Sequence, residues 1–337
     1  MTSGTPKESD RETGLTVNGM NRARKGYLFA LGAYLCWGLF PLYWKLLRPA
    51  TPVEILAHRI VWSFVLVVLI VAVARGWRRI AALIRRPGKM GLIAVAALLI
   101  AVNWGTYIYG VNTDRVVETS LGYFINPLVT VLLGVFVLGE RLRAAQWAAI
   151  GVGALAVAVL TADYGHVPYL ALVLAGTFGL YGLVKKRLSV PAADGLLVES
   201  AALTVPAVIF LSILVAGGDS TLGRVSAAHT ALLVLSGAVT TVPLLLFAGA
   251  ANRIPLSAIG LLQYLAPILQ LACGVLVFGE PMPPARLAGF VLVWLALGVF
   301  TWDGIRYLRS QARSAVTTGT AVDVGEHLRL SDSRMSS

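Results

Sequence analysis

The 337-residue chain is 57% hydrophobic and only 13% charged, too little charge for a soluble globule, where about a quarter is usual, so the composition points to a membrane protein. Its two cysteines, Cys36 and Cys273, fall inside apolar runs, which suggests neither a disulfide framework nor a metal site. The formal charge of +12 does not argue for nucleic acid, because the basic residues fall between apolar stretches without a stacking groove; they read instead as orientation signals.

Polar, Ser-, Thr- and charge-rich sequence at 1–24 and 306–337 reads as disordered tails. Between them lie ten apolar stretches, at about 26–47, 55–74, 91–111, 119–138, 144–161, 167–184, 196–216, 230–251, 256–278 and 287–302. Most approach the roughly 20 residues with which a helix crosses a hydrocarbon core of about 30 Å. Helices are required, because the stretches lack the alternation of barrel strands and a backbone in lipid must satisfy its own hydrogen bonds. The first stretch follows Arg22, Arg24 and Lys25, as a signal peptide's would, but it is too long and ends in PLYWKLL rather than in small residues, so it is expected to stay.

Lys and Arg divide unevenly between the two sides of such a bundle. One side collects eighteen, including the cluster Arg75, Arg78, Arg79, Arg85, Arg86 and Lys89; the other holds six, Lys45, Arg48, Arg59, Arg115, Arg224 and Arg286. The excess marks the cytoplasmic side, which places both termini in the cytoplasm and agrees with an even number of spans.

Residues 112–163 align on 252–303 without a gap, with 15 of 52 pairs identical, among them Pro127/Pro267, Gly139/Gly279, Glu140/Glu280 and Asp163/Asp303. An offset of 141 relates the first and sixth stretches, setting CWGLF at 36–40 on TFGLY at 177–181. The expected fold is therefore an all-α integral membrane protein with ten transmembrane helices in two five-helix repeats, 25–163 and 164–305. Because five is odd, the second repeat enters the membrane from the opposite face. Inverted repeats that exchange their packings open a midplane site to alternate sides, which favours a transporter over a receptor or scaffold.

KGYLFALGAYLCWGLFPLYWKLL, EILAHRIVWS, NWGTYIYGVN and ETSLGYFINPLVTVLLGVFVLGERL resemble the RarD branch of the EamA family, within the drug/metabolite transporter superfamily, over about residues 25–305. The resemblance implies a ten-helix inverted-repeat carrier of the bacterial inner membrane that moves small organic molecules, often outward. It also implies a link by name to chloramphenicol resistance, with the natural substrate poorly defined. No cofactor is implied, and the partners are a small-molecule substrate and the lipid bilayer.

Polar residues deep in a span are costly and usually face an interior or a watery cavity. Tyr123, Asn126 and Thr130 share one face of the fourth span, and the repeat places Gln263 and Gln270 at the positions of Tyr123 and Thr130, with Tyr264 beside Gln263. Two readings stand, a lined path and interhelical glue, and the path is preferred. Asn103, Trp104 and Tyr107 form a second substrate-binding candidate, since an aromatic wall with a few hydrogen-bonding groups suits a small amphipathic molecule; Trp37, before Gly38 and Pro41, is read as binding or gating, with plain packing equally open. His58 and Arg59, and Glu199, which the offset of 141 aligns with His58, are candidates for gating or ion coupling. Glu199 is read as the only carboxylate inside a span, in the first turn of its helix, and Glu140 and Glu280 as structural carboxylates beginning their own next helices.

No nucleophile-base-acid set, metal-spaced cluster or phosphate loop is present, so an enzyme is not expected. The first span carries no carboxylate, the residue with which related small multidrug carriers exchange protons, so uniport or exchange is preferred to proton antiport. Small residues in the fifth and tenth spans, such as Gly151, Gly153, Ala288 and Gly289, suit close scaffold or homodimer packing. The function expected is export or exchange of a small organic metabolite or drug-like molecule, with import of amino acids or related solutes as the alternative and a membrane-embedded enzyme as a remote one. The charge argument is checked by impermeant thiol labelling of intact cells: cysteines introduced near Gly88 and Arg187 should be shielded, while those near Gly165 and Gly218 should react.

Overall fold

The structure, a computed structural model, describes residues 8–306 apart from 140, 189, 191, 252, 255–257, 260 and 261, and side chains from residue 23 on except 138, 186, 192 and 193. Glu140, residues 1–7 and all but residue 306 of the expected C-terminal tail thus lie outside the described residues, whereas residues 8–24 of the expected N-terminal tail fall within α1. Every element among those described is helical: α1 Glu8–Leu46, α2 Pro52–Val73, α3 Trp77–Ile84, α4 Pro87–Asn112, α5 Val116–Leu138, α6 Ala144–Tyr164, α7 Tyr169–Leu188, α8 Ala192–Gly217, α9 Ala227–Ala251, α10 Leu265–Ala272 with a π-helical continuation Cys273–Val277, and α11 Pro284–Arg306. Eight contain a stretch long and apolar enough to cross a membrane, and Tyr169–Lys185 and Leu265–Val277 are shorter apolar helices.

Local chemistry sets many of these boundaries. Thr51 Oγ1 accepts from the Glu54 backbone N–H, and Pro52 opens α2, a capped start with a residue that has no N–H to lose. Gly139 and Gly165 end α5 and α6 in left-handed backbone, at φ 66° and 69°, where a Cβ would be strained. The ninth apolar stretch departs from expectation: it is not one helix over 256–278 but is interrupted by a turn at Gln263–Tyr264. Pro267 lacks the N–H that would bond the Gln263 carbonyl, and its ring crowds that carbonyl. A further helix, α3, forms within the basic cluster at 75–89. There α3 buries Ile80 and Leu83 while Arg79 reaches the buried Asp194 at 3.0 Å.

The helices interleave along the chain. α1 packs on α9 and α10, and α7 packs on α4 and α5, while α2 meets α8 and α9. Close approach rests on glycine: a Cβ on Gly237 of α9 would lie 2.4 Å from the Trp62 carbonyl carbon of α2, and one on Gly122 of α5 would lie 2.9 Å from the Ala171 carbonyl oxygen of α7. α6 and α11 pack on α5 through Ala149, Ala156, Leu160, Phe290 and Val293. Arginine–aspartate pairs clamp both ends of that layer, Arg143 to Asp303 at 2.5 Å and Arg286 to Asp163 at 2.8 Å.

One end of the bundle is laced by carboxylates. Glu280 does not begin its own next helix; it accepts from the Val116 and Val117 N–H groups of α5 at 2.6 and 2.7 Å. Glu118 accepts from the Leu170 N–H of α7, and Glu54 from the Thr221 N–H and hydroxyl and from Ser220. At the same end Asp114 pairs with Lys45 at 2.5 Å and Arg48 at 3.1 Å, and hydrogen bonding from Lys45 holds its carboxyl below the usual carboxylate range. Because the Gly237 contact is with backbone that cannot rotate away, Gly237→Ala should lower stability by about 1–3 kcal/mol, read as a fall in the thermal unfolding midpoint of the purified protein in detergent.

Candidate functional site

Arg59 sits seven residues past Pro52 on α2, roughly 10 Å along the axis at 1.5 Å per residue, and is 3% exposed. Three aromatic rings box it in. Its guanidinium carbon lies 4.0 Å from the Trp104 ring centroid on α4, 4.9 Å from Trp44 and 5.8 Å from Phe40 on α1. Phe40 and Trp44 are four apart on α1 and therefore share its face, as do Trp104 and Tyr107, three apart on α4. Tyr107 and Tyr123 lie within electrostatic reach of Arg59. Their rings meet edge to face at 5.6 Å.

Hydrogen bonding in this cluster is lopsided. Asn103 donates to the Leu174 carbonyl at 2.9 Å and to Thr177 Oγ1 at 3.0 Å on α7, and accepts from the Tyr123 hydroxyl at 3.4 Å. Its amide therefore joins α4, α5 and α7. By contrast Arg59 Nε, Trp44 Nε1 and the Tyr107 hydroxyl are buried without a hydrogen-bond partner among the described residues. No carboxylate among them pairs with Arg59. The cluster is thus a buried cation with surplus donors among aromatic rings.

The remaining candidates from the sequence fall elsewhere. Trp37 is half-buried in a cluster with Tyr34 and Phe247, and its carbonyl accepts from Gln270 of α10. Asn126 is half-buried on α5 with its Oδ1 unpartnered among the described residues, and Gln263 occupies the turn before α10. Tyr264 lines an apolar groove of ≈ 590 Å³ with Phe124, Ile268 and Trp294, between α5, α10 and α11. Glu199 is not in a first turn: it is the eighth residue of α8, 1% exposed, and its carboxylate pairs with Lys185 at 2.7 Å and accepts from the Tyr181 hydroxyl at 3.1 Å.

Nor is Glu199 the only buried carboxylate near a span. Glu54, Glu118 and Asp194 are buried at helix starts. Glu54 lies one turn before His58, and both lie within electrostatic reach of each other, with His229 of α9 close to His58. That grouping was readable in part, since Glu54 and His58 are spaced i, i+4; His229 came from a distant helix. The Phe40/Trp44 wall was also readable as an i, i+4 pair, but nothing local said that Arg59 would fill it.

The EamA-like transporter family matches residues 24–162. Protein RarD of Streptomyces exfoliatus is 51% identical over 303 residues, 90% of this chain and 96% of its own. An uncharacterized transporter of Vibrio cholerae is 41% identical over 84% of this chain and 94% of its own. Chloramphenicol-sensitive protein RarD of Pseudomonas aeruginosa is 30% identical over 88% of this chain and 100% of its own. A solved crystal structure of 21% identity superposes with a TM-score of 0.53 over 84% of this chain and 98% of that one, a likeness of fold. A chain so similar to these relatives along nearly its whole apolar length belongs to the EamA-like transporter family, in its RarD branch.

Proposed function

We propose that the protein is a secondary transporter of the bacterial inner membrane that moves a small organic molecule by alternating access, in export or exchange. The observation that carries this reading is the buried cluster of Arg59, Trp104, Tyr107 and Tyr123, polar groups set among aromatic rings inside an apolar bundle, where such groups are costly and mark substrate pathways. Ten membrane crossings follow if the shorter apolar helices α7 and α10 also span, with both termini in the cytoplasm. The turn at Gln263–Tyr264 ahead of α10 suits a carrier, in which interrupted apolar segments commonly border the site.

The sequence repeat supports the mechanism. In repeat order, α1 is the first helix of one half and packs on the third and fourth of the other, α9 and α10, while α7 is the first of the second half and packs on α4 and α5. Exchange of these two related contacts would rock the halves about a central site. With the termini cytoplasmic, the end laced by Glu54, Glu118, Glu280 and the Lys45–Asp114–Arg48 clasp faces outward. These bonds then close the outward path, and the outward-open state has to break the clasp. The small-residue faces of α6 and α11 are assigned to scaffold or homodimer packing, outside the pathway.

Purified protein in liposomes, tested for counterflow of a small-molecule panel that includes chloramphenicol, is expected to show saturable exchange of some members. Trp104→Ala should reduce it about tenfold or more, because cavity walls make both contact area and the cation–π contact. No saturable counterflow of any member would overturn the reading. Glu199→Gln, in contrast, should leave counterflow within about a few-fold but lower the thermal unfolding midpoint, since it strips Lys185 of its carboxylate. Loss of gradient-driven transport with counterflow intact would instead make Glu199 a coupling residue.

A further inference from the structure

We propose that Arg59 is the receptor for a carboxylate on the molecule that this protein carries, so that the substrate class is small monoanionic organic acids with an apolar body. The inference rests on the transport reading in so far as the ligand is the transported molecule.

The argument begins with how the other buried charges are satisfied. Glu54, Glu118, Asp194, Glu199 and Glu280 are each buried and each bonded directly, to Thr221 and Ser220, to Arg115 and the Leu170 N–H, to Arg79, to Lys185 and Tyr181, and to two N–H groups of α5. Arg59 alone among the buried charges of the described residues has no counter-charge and no hydrogen-bond acceptor. Aromatic faces offset part of the cost of burying a cation, but they accept nothing in the plane of the guanidinium, where its donors point. Trp44 Nε1 is a donor only, and the Tyr107 hydroxyl has a proton to give. What such a pocket lacks is an acceptor with negative charge, and the fork of an arginine matches a carboxylate in two parallel bonds.

The internal repeat supplies a control. The offset of 141 pairs Phe40 with Tyr181, Trp44 with Lys185, His58 with Glu199 and Arg59 with Ser200. In the second half these positions make a closed set, in which the Lys185 ammonium meets the Glu199 carboxylate. In the first half the cation has moved to Arg59, and the position equivalent to the carboxylate is His58. The same four places thus hold a complete ion pair in one half and a cation without its anion in the other.

Charge count narrows the class. The nearest cation along α1, Lys45, is taken by Asp114, so the pocket offers one unbalanced positive charge and fits one negative charge rather than a phosphate dianion. The rings of Phe40, Trp44 and Trp104 suit an aryl or alkyl body beside the carboxylate.

The test uses the purified full-length protein in detergent and follows thermal unfolding with benzoate, phenylacetate and 3-phenylpropionate, each against its uncharged amide and against phenylphosphate. At least one carboxylate is expected to raise the midpoint saturably while its amide does not. Arg59→Lys should weaken that carboxylate about tenfold or more, since loss of a charge-assisted bidentate contact is of that order, and Arg59→Gln should abolish the response. Should Arg59→Gln fail to fold, Tyr107→Phe decides, with an expected several-fold weakening of the carboxylate. Carboxylates acting no differently from amides, phenylphosphate binding more tightly than every carboxylate, or a wild-type response in the Arg59→Gln or Tyr107→Phe protein would each overturn the proposal. The two readings separate in liposomes. Carboxylate binding without counterflow would leave the Arg59 site and remove the transport reading, whereas counterflow of uncharged molecules undiminished in Arg59→Lys would do the reverse.

Discussion

Backbone donors at the start of a helix have no partner within it, and in a membrane there is little water to supply one. In this protein carboxylates from elsewhere in the chain do so. Glu280 bonds the first two N–H groups of α5, Glu118 one at the start of α7, and Glu54 the Thr221 N–H before α9. Hydrogen bonds to charged groups contribute about 1.5–3 kcal/mol each, and here each also fixes where one helix begins relative to another. The start of α5 sets the rotation that brings Tyr123 to Tyr107, and the start of α2 sets the depth of Arg59. The Arg59 cluster is thus positioned by bonds at one end of the bundle, a third of a helix length away.

A second consequence is that charge inside the bundle is nearly all accounted for. Aspartates and glutamates have arginine, lysine, hydroxyl or N–H partners, and several of these join helices far apart in sequence, as Asp163–Arg286 and Asp303–Arg143 do for α6 and α11. Against that background an arginine held only by ring faces stands out.

The packing also bears on motion. The α2–α9 and α5–α7 contacts are glycine-mediated and close, which favours rigid pairs, while a turn at Gln263–Tyr264 precedes α10. Rigid pairs beside a turn concentrate deformation in a few residues, as the rocking proposed above would require.

Much of this was legible from residue order alone. Ten apolar stretches, of which eight are membrane-length helices in the structure, the family, and the grouping of Trp104 and Tyr107 follow from apolar run length, motif and helical periodicity, all of which depend on neighbours a few residues apart. So does the i, i+4 spacing of Phe40 with Trp44 and of Glu54 with His58. Other features needed the tertiary structure. Asn103 was legible as a polar residue in a span, but only packing decided that its amide joins α7. Glu280 was legible as a carboxylate after a glycine stop, but its target is 164 residues back along the chain. Tyr264 was drawn to an outer groove and Glu199 into an ion pair, because helix rotation decides which face meets which neighbour. Sequence by itself determined which segments are helices, which residues share a face and where charge is scarce, since those are local properties. Only the tertiary structure decided which buried charges find partners, because a counter-ion comes from another helix, and for Arg59 none of the described residues provides one.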